Sequence, residues 1–198
     1  MENTPNRPGR GKPRDEGLRQ AILKASAELL LEGGYRGFTI EGVAARAGAS
    51  KVTIYKWWPS KGSLALDGYV EAVSEAIGFP VTDSPRRDVE TQLAAVIHGL
   101  TSTPSGRAIV ELIGAAQEDP ELQRELTLRY IQPRRELAAT AFARLLGWDA
   151  HKRRDELYAV TDQVYGAIYN RLLFGLLPLD AGFASQLVEF WISPSGRR

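Results

Sequence analysis

The sequence predicts an all-α protein, through the spacing of its apolar residues, the placing of its caps and a lack of alternation. Apolar side chains recur every three or four positions along most of the chain, the period of a helix buried on one face. Ser, Thr and Asp stand where such runs begin, and glycine or proline where they stop. No segment alternates with period two for long enough to argue for a strand. The expected architecture is a three-helix N-terminal group followed by a larger helical bundle, about nine helices in all.

Each element has its own warrant. Residues 1–14 hold Pro5, Pro8 and Pro13 among the cations Arg7, Arg10, Lys12 and Arg14, a composition that reads as a disordered basic arm. From Asp15 onward, Leu18, Ile22, Ala25 and Leu29 mark a first helix that Gly33-Gly34 should stop. Thr39 is placed to cap a second helix carrying Ile40, Val43, Ala44 and Ala47, and Gly48 supplies the left-handed residue that ends it. Ser50 caps a short third helix, Lys51 to about Trp57, and Pro59-Ser60 leads into a fourth, Lys61 to about Ile77. Two short helices joined by Ala47-Gly48-Ala49, too small to be stable alone, have the form of a helix-turn-helix. The expected divisions are the arm at 1–14, a helix-turn-helix domain at 15–62 and a body at 63–198, with the fourth helix as the link.

The body continues in the same manner. Ser84-Pro85, Thr103-Pro104 and Asp119-Pro120 each open a helix, because proline at the first helical position gives up an N–H that would be unpaired anyway. Pro133 should break or kink the helix that contains it. Gly147 to Ala150 reads as a turn, followed by a long helix to about Gly175 and a last one from Asp180 to Trp191.

Composition narrows the class of function. A chain of 198 residues, 43% hydrophobic and 25% charged, can bury a sizeable core, and no apolar run is long enough to span a membrane. Residues 1–17 lack the apolar stretch of a secretory leader. The absence of cysteine excludes disulfides and thiolate metal sites and fits a cytoplasmic protein. The net charge of +1 hides a division: residues 1–61 carry 11 Lys/Arg against 6 Asp/Glu, and the rest 14 against 18. A basic end on a mildly acidic body suits a polyanionic partner. His98 and His151 fall on separate helices without a motif around either, and Gly9-Arg10-Gly11-Lys12 lacks the strand and helix of a phosphate-binding loop. Nothing calls for catalysis, a cofactor or a metal.

The third helix carries the chemistry. A helix fits the major groove of B-DNA, and residues near its N-terminus meet base edges. Lys51 is suited to guanine N7 and O6, and the methyl groups of Val52 and Thr53 to thymine methyls. Ile54 and Trp58, four apart, should face inward. Thr39, Ser50, Tyr55 and Lys56 are suited to phosphates, and Lys61 sits where the positive end of the fourth helix attracts one. Trp57 reads equally well as a backbone contact or as packing on the first helix. The arm suits an A·T minor groove, or serves as a solubilising tail.

The stretch Phe38-Thr39-Ile40, Val43-Ala44-Ala45-Arg46-Ala47-Gly48-Ala49-Ser50-Lys51-Val52-Thr53-Ile54-Tyr55-Lys56-Trp57-Trp58-Pro59-Ser60-Lys61 and Leu64 resembles the DNA-binding signature of the TetR family of bacterial regulators. The resemblance covers roughly residues 16–65. The family usually has valine where Ala49 stands, phenylalanine where Trp58 stands and glutamate where Gly62 stands; the first two changes keep a core role. By position, the resemblance implies that Thr39, Ser50, Tyr55, Lys56 and Lys61 serve the DNA backbone and Lys51, Val52 and Thr53 the bases, with Arg46 also counted among the DNA-binding residues. It implies a cytoplasmic bacterial regulator, most often a repressor, that binds a palindromic double-stranded DNA operator and is released by a small-molecule effector.

Dimerisation suits a palindrome, which needs two recognition helices about 34–36 Å apart. The long helix is apolar on more than one face, through Leu157, Val164, Ile168 and Leu172 among others, and the last repeats the excess in Phe183, Leu187, Phe190 and Trp191. A four-helix interface across a two-fold axis is the expected use, with Gly166 allowing close approach. Tyr130, Trp148, Tyr165 and Tyr169 are of the kind that line ligand pockets, though core is the plainer role for any one of them. A body cavity of some 300 Å³ or more would favour an effector. A solid core would favour the alternative, a constitutive or architectural DNA-binding protein; an all-helical enzyme is the remaining alternative.

Overall fold

The structure, a computed structural model, describes residues 12–74 and 78–192, with side chains from Glu16 to Phe190. The arm's Arg7 and Arg10 and the side chain of Trp191 therefore lie outside the described residues. Regular structure among the described residues is all helical: α1 Lys12–Gly37, α2 Ile40–Ala47, α3 Lys51–Tyr55, α4 Lys61–Val73, α5 Pro85–Ser102, α6 Pro104–Ala116, α7 Pro120–Leu126, α8 Gln132–Leu146, α9 Arg154–Phe174 and α10 Ala181–Leu187. Two wide turns with π-type hydrogen bonds complete it, π1 Thr127–Ile131 and π2 Val188–Ile192. Counted with α7, π1 and α8 as one bent helix, the described residues hold nine, the number the sequence predicts.

Several cap residues act as their types demand, although the side chains of Ser84 and Thr103 make no capping bond. Thr39 Oγ1 accepts from Gly42 N at 3.1 Å, Ser60 Oγ from Ser63 N at 3.1 Å, and Asp119 Oδ1 from Glu121 N and Leu122 N at 3.1 and 3.0 Å. Helix α1 begins three residues before the expected Asp15, since Pro13 in a first turn loses no hydrogen bond. At the other end Gly34 is left-handed (φ 68°) and breaks the helix, but one further turn runs to Gly37. Helix α6 seals that break. Glu111 Oε2 accepts from Arg36 N at 2.9 Å, and Arg107 donates to the Glu32 carbonyl at 2.9 Å, placing a cation on a helix C-terminus.

At Pro133 the helix is interrupted in its hydrogen bonding but not ended. The proline ring excludes the carbonyl four residues back, and the wide π1 turn immediately before it makes the room, so α7 runs through π1 into α8.

Helix α1 packs on α4, α2 and α6; α8 lies on α9, α5 on α6 and α10, and α4 also meets α6 and α7. One continuous core joins the two ends of the molecule, from Ile22, Phe38 and Ile54 through Leu64 and Leu66 to Leu112, Phe142 and Ile168. Where α1 crosses α4, Gly68 lies so close that a Cβ would meet Ser26 Oγ at 2.3 Å; the buried Ser26 hydroxyl donates to the Leu64 carbonyl at 3.0 Å. These contacts hold α4 against α1, and α4 carries the position of α3.

Candidate nucleic-acid interface

Helices α2 and α3 are joined by three residues. Gly48 takes φ 64° and ψ 31°, its N–H bonding to the Ala44 carbonyl, and Ala49 N bonds to the same carbonyl at 2.9 Å. The chain then turns into Ser50, whose Oγ accepts from Thr53 N at 3.0 Å and starts α3. Ile54 is fully buried and Trp58 nearly so, as their spacing predicts, and the Trp58 indole N–H donates to Asp67 Oδ2 of α4 at 2.7 Å. Burying two such side chains stabilises the attachment of α3 by several kcal/mol, on the order of 2 each. Trp57 is half-buried, edge-on to Trp58 with ring centroids 5.8 Å apart, which favours its packing role.

The opposite face of α3 is open. Val52 is 71% exposed and Tyr55 51%, large apolar groups left in water on a five-residue helix. Thr39, Ser50, Lys51 and Lys56 are exposed around them, and Thr53 is half-buried with its hydroxyl 2.9 Å from Ser50 Oγ. The geometry thus brings together the side chains that the sequence assigns to bases and most of those assigned to phosphates.

Three cations are not free. Lys51 Nζ lies 3.0 Å from Glu41 Oε1, which raises the lysine pKa and lowers that of the carboxylate, through the hydrogen bond first. Arg46 is held by both oxygens of Glu32, at 2.7 and 3.0 Å, with Glu28 at 3.9 Å; it must leave α1 to reach a phosphate. Lys61 stands 4.4 Å over the Tyr35 ring, and burial pulls its pKa down, so it waits close to the N-terminus of α4 on an aromatic support. Gly62 is buried, and a Cβ there would stand 3.2 Å from the methyls of Leu122, tighter than ordinary contact. Helix α7 packs where the family's glutamate would begin.

In the body, a cavity of about 140 Å³ lies between α4, α5, α8, α9 and π1. Tyr130, Tyr165 and Tyr169 line it; Trp148 does not, and instead lies under Arg153 at 3.8 Å. Tyr69, Arg134, Arg135 and Asp162 join the lining without any local signal in the sequence, because they meet only in the folded bundle. Burial pushes the Tyr69 and Tyr169 hydroxyls well above the ordinary phenol range and that of Tyr165 up to about 12. The cavity is about half the size set above for an effector site, and the core is not solid either.

The assigned dimer residues divide. Leu157, Val164, Ile168 and Leu187 are buried inside the chain itself and Phe183 nearly so, leaving them little surface for a second copy. The sequence expectation is corrected there: an all-round apolar helix does not reveal which stripe its own bundle takes. Leu172 is half-buried, and Phe190 is 73% exposed. Exposed apolar surface continues through Leu173, Phe174, Leu176 and Leu177, beside an open groove whose wall includes Gly166. No helix among the described residues is long and apolar enough to cross a membrane, and no group of three metal-ligating side chains gathers among them.

Comparison with known proteins agrees with this geometry. Residues 22–67 match the family model for bacterial regulatory proteins of the tetR family, and residues 79–190 match the tetracyclin repressor-like C-terminal domain. The HTH-type transcriptional regulator YdeS of Bacillus subtilis (strain 168) is 38% identical over 179 residues, 90% of each chain. The crystal structure of the TetR family transcription regulator SCO0332 superposes with a TM-score of 0.78 at 42% identity, over 91% of this chain and 98% of that one. The transcriptional regulator FadR from Bacillus subtilis, crystallised with stearoyl-CoA, shares the fold at a TM-score of 0.56 and 15% identity, over 91% of this chain and all of that one. With its helix-turn-helix and its helical body each matched over nearly their full extent, the chain belongs to the TetR family of bacterial transcriptional regulators.

Proposed function

We propose that the protein is a ligand-responsive repressor that binds a palindromic operator as a homodimer and leaves it when a small molecule occupies the body. The observation that carries the DNA reading is the open face of α3, where Val52 and Tyr55 stand exposed among Ser50, Lys51 and Lys56. Apolar groups so placed gain by meeting thymine methyls and sugar edges, and the surrounding hydroxyls and ammonium groups set the register on phosphates. Thr39, Lys61 and, once released from Glu32, Arg46 complete the backbone contacts. On this reading the chain divides into a basic arm at 1–14, a DNA-binding unit at 15–62 and a body at 63–198. It is regulatory rather than enzymatic, and it acts in the bacterial cytoplasm.

The dimer forms through α9, α10 and the segment between them. Leu173, Phe174, Leu176 and Leu177 form a short exposed apolar stretch of chain, and Phe190 after α10 is exposed as well, supporting a partner there. Leu172, half-buried, borders the same stretch. The body holds the ligand, and FadR's stearoyl-CoA complex supports the principle that this fold accommodates one. The cavity here holds about 140 Å³, so the effector is a compact molecule.

The deciding experiment is binding of the full chain to labelled DNA from its gene's own upstream region, against random competitor, over a salt series. Specific binding by two subunits per site, with a steep loss on added salt, is the expected result. Phe190→Glu should reduce that stoichiometry and sediment as a monomer. Equal binding to both DNAs would favour the architectural alternative, and no binding at low salt would defeat the proposal.

A further inference from the structure

The cavity's charges do not balance. Arg134, Arg135 and Asp162 are its lining residues that carry full charge, and Arg135 Nη2 is already paired with Asp162 Oδ2 at 2.5 Å. That leaves Arg134. Its guanidinium lies 4.2 Å over the Tyr130 ring, and its Nη1 is buried without a hydrogen-bond partner; Arg135 Nε is buried without one too, but the Arg135 guanidinium already holds a carboxylate. A buried N–H of a charged group left unmade is costly, and a bound anion is one way such a group is satisfied.

The tyrosines do not supply the missing anion. Tyr69 and Tyr130 share their hydroxyls at 3.3 Å, and burial holds Tyr69, Tyr165 and Tyr169 in the neutral phenol form. They are hydrogen-bond donors around a cation. The rest of the wall is mostly apolar, with Val73, Val96, Leu100 and Ile131 beside the hydroxyl residues Ser105 and Thr161. A dry apolar cavity of roughly 150 Å³ accepts a single benzene-sized ring, and this one measures about 140 Å³.

We infer that the effector is a small organic acid, one ring or a short branched chain bearing a carboxylate, whose anionic group pairs with Arg134 while tyrosine hydroxyls donate to it. This rests on the ligand-responsive reading and narrows it to a chemical class. The carboxylate gives Nη1 its partner and cancels the surplus charge, and charge-assisted pairing of this kind is the strongest available in a low-dielectric site. The apolar ring fills the space beside it.

The test uses the full-length protein with benzoate and cyclohexanecarboxylate against their neutral counterparts, benzyl alcohol and cyclohexanemethanol. Calorimetry, thermal melting and release of labelled operator DNA are the readouts. The acids should raise the melting temperature, release the operator and bind at least tenfold tighter than the alcohols. Arg134→Gln should erase that preference while keeping a cooperative melt, and Arg134→Lys should keep part of it. Equal binding of acids and alcohols, or an undiminished preference in Arg134→Gln, overturns the acid assignment and leaves the ligand pocket standing. Failure of all four compounds to bind overturns the assignment and removes the ligand-responsive reading for occupants of this size.

Discussion

Glu41 and Lys51 set opposite charges 3.0 Å apart at the edge of the surface that would meet DNA. Both are exposed, so the pair adds little to folding. Its effect is on what Lys51 is free to do. Lys51→Ala should lower operator affinity by about tenfold and relax the preference for guanine at the contacted position. Glu41→Gln should do the reverse, raising affinity at low salt by freeing the ammonium and removing a carboxylate that faces phosphates. Gel shifts of both variants across a salt series check the signs; a loss in both would mean that the pair acts as a unit in holding α2 against α3. The roles of Thr39, Ser50 and Asp119 were legible in the sequence because a cap bonds to N–H groups two or three residues away. Arg134 was not legible, since its meaning depends on which groups the bundle brings near it and which it leaves out.

Gly48 shows what decides a turn between two short helices. At φ 64° an L side chain meets the following carbonyl, so Gly48→Ala should cost about 1 kcal/mol of stability. Asparagine, which tolerates that conformation better, should cost less. Denaturant unfolding of the two variants checks the order, and nothing stands within 4 Å of the added Cβ to confuse strain with crowding. Helix starts were readable from Ser, Thr and Asp before proline. Two ends were less so. Gly33-Gly34 predicts a stop, but α6 brings Glu111 and Arg107 to the break and supports one more turn. Pro133 predicts a kink, and π1 absorbs it. In α9 the sequence lists apolar positions without saying which the bundle claims, so Leu157, Val164 and Ile168 read as interface when they are core.

On the scale of the whole molecule, the three phenols held neutral by burial tie stability to alkaline pH. In the unfolded chain they ionise near pH 10. In the folded chain Tyr165 does not do so until about 12, and Tyr69 and Tyr169 are also raised, all by burial first. The unfolded state therefore releases protons before the folded one, and stability that is intact below pH 10 falls progressively above it. Unfolding followed from pH 9 to 12 should show that decline, with absorbance at 295 nm showing tyrosines that titrate late or only on unfolding. Tyr69→Phe should make the decline shallower. The two-part plan of basic head and acidic body was legible in charge alone, whereas the cavity arises only where α4, α5, α8 and α9 converge with π1.

Arg129 and Tyr130 are neighbours on π1, and they face different business. Arg129 grips one oxygen of Asp67 while the other oxygen holds the Trp58 indole at the foot of α3; Tyr130 lines the cavity. A molecule that displaces Tyr130 has to work against the Asp67 clasp through a single peptide unit. Reciprocity then follows: if its binding weakens the operator complex by some factor, a protein already seated on DNA resists that molecule by the same factor. Free and DNA-bound copies are different receptors. The concentration needed for induction would rise with operator occupancy, and would be lowest for copies that have nothing to repress.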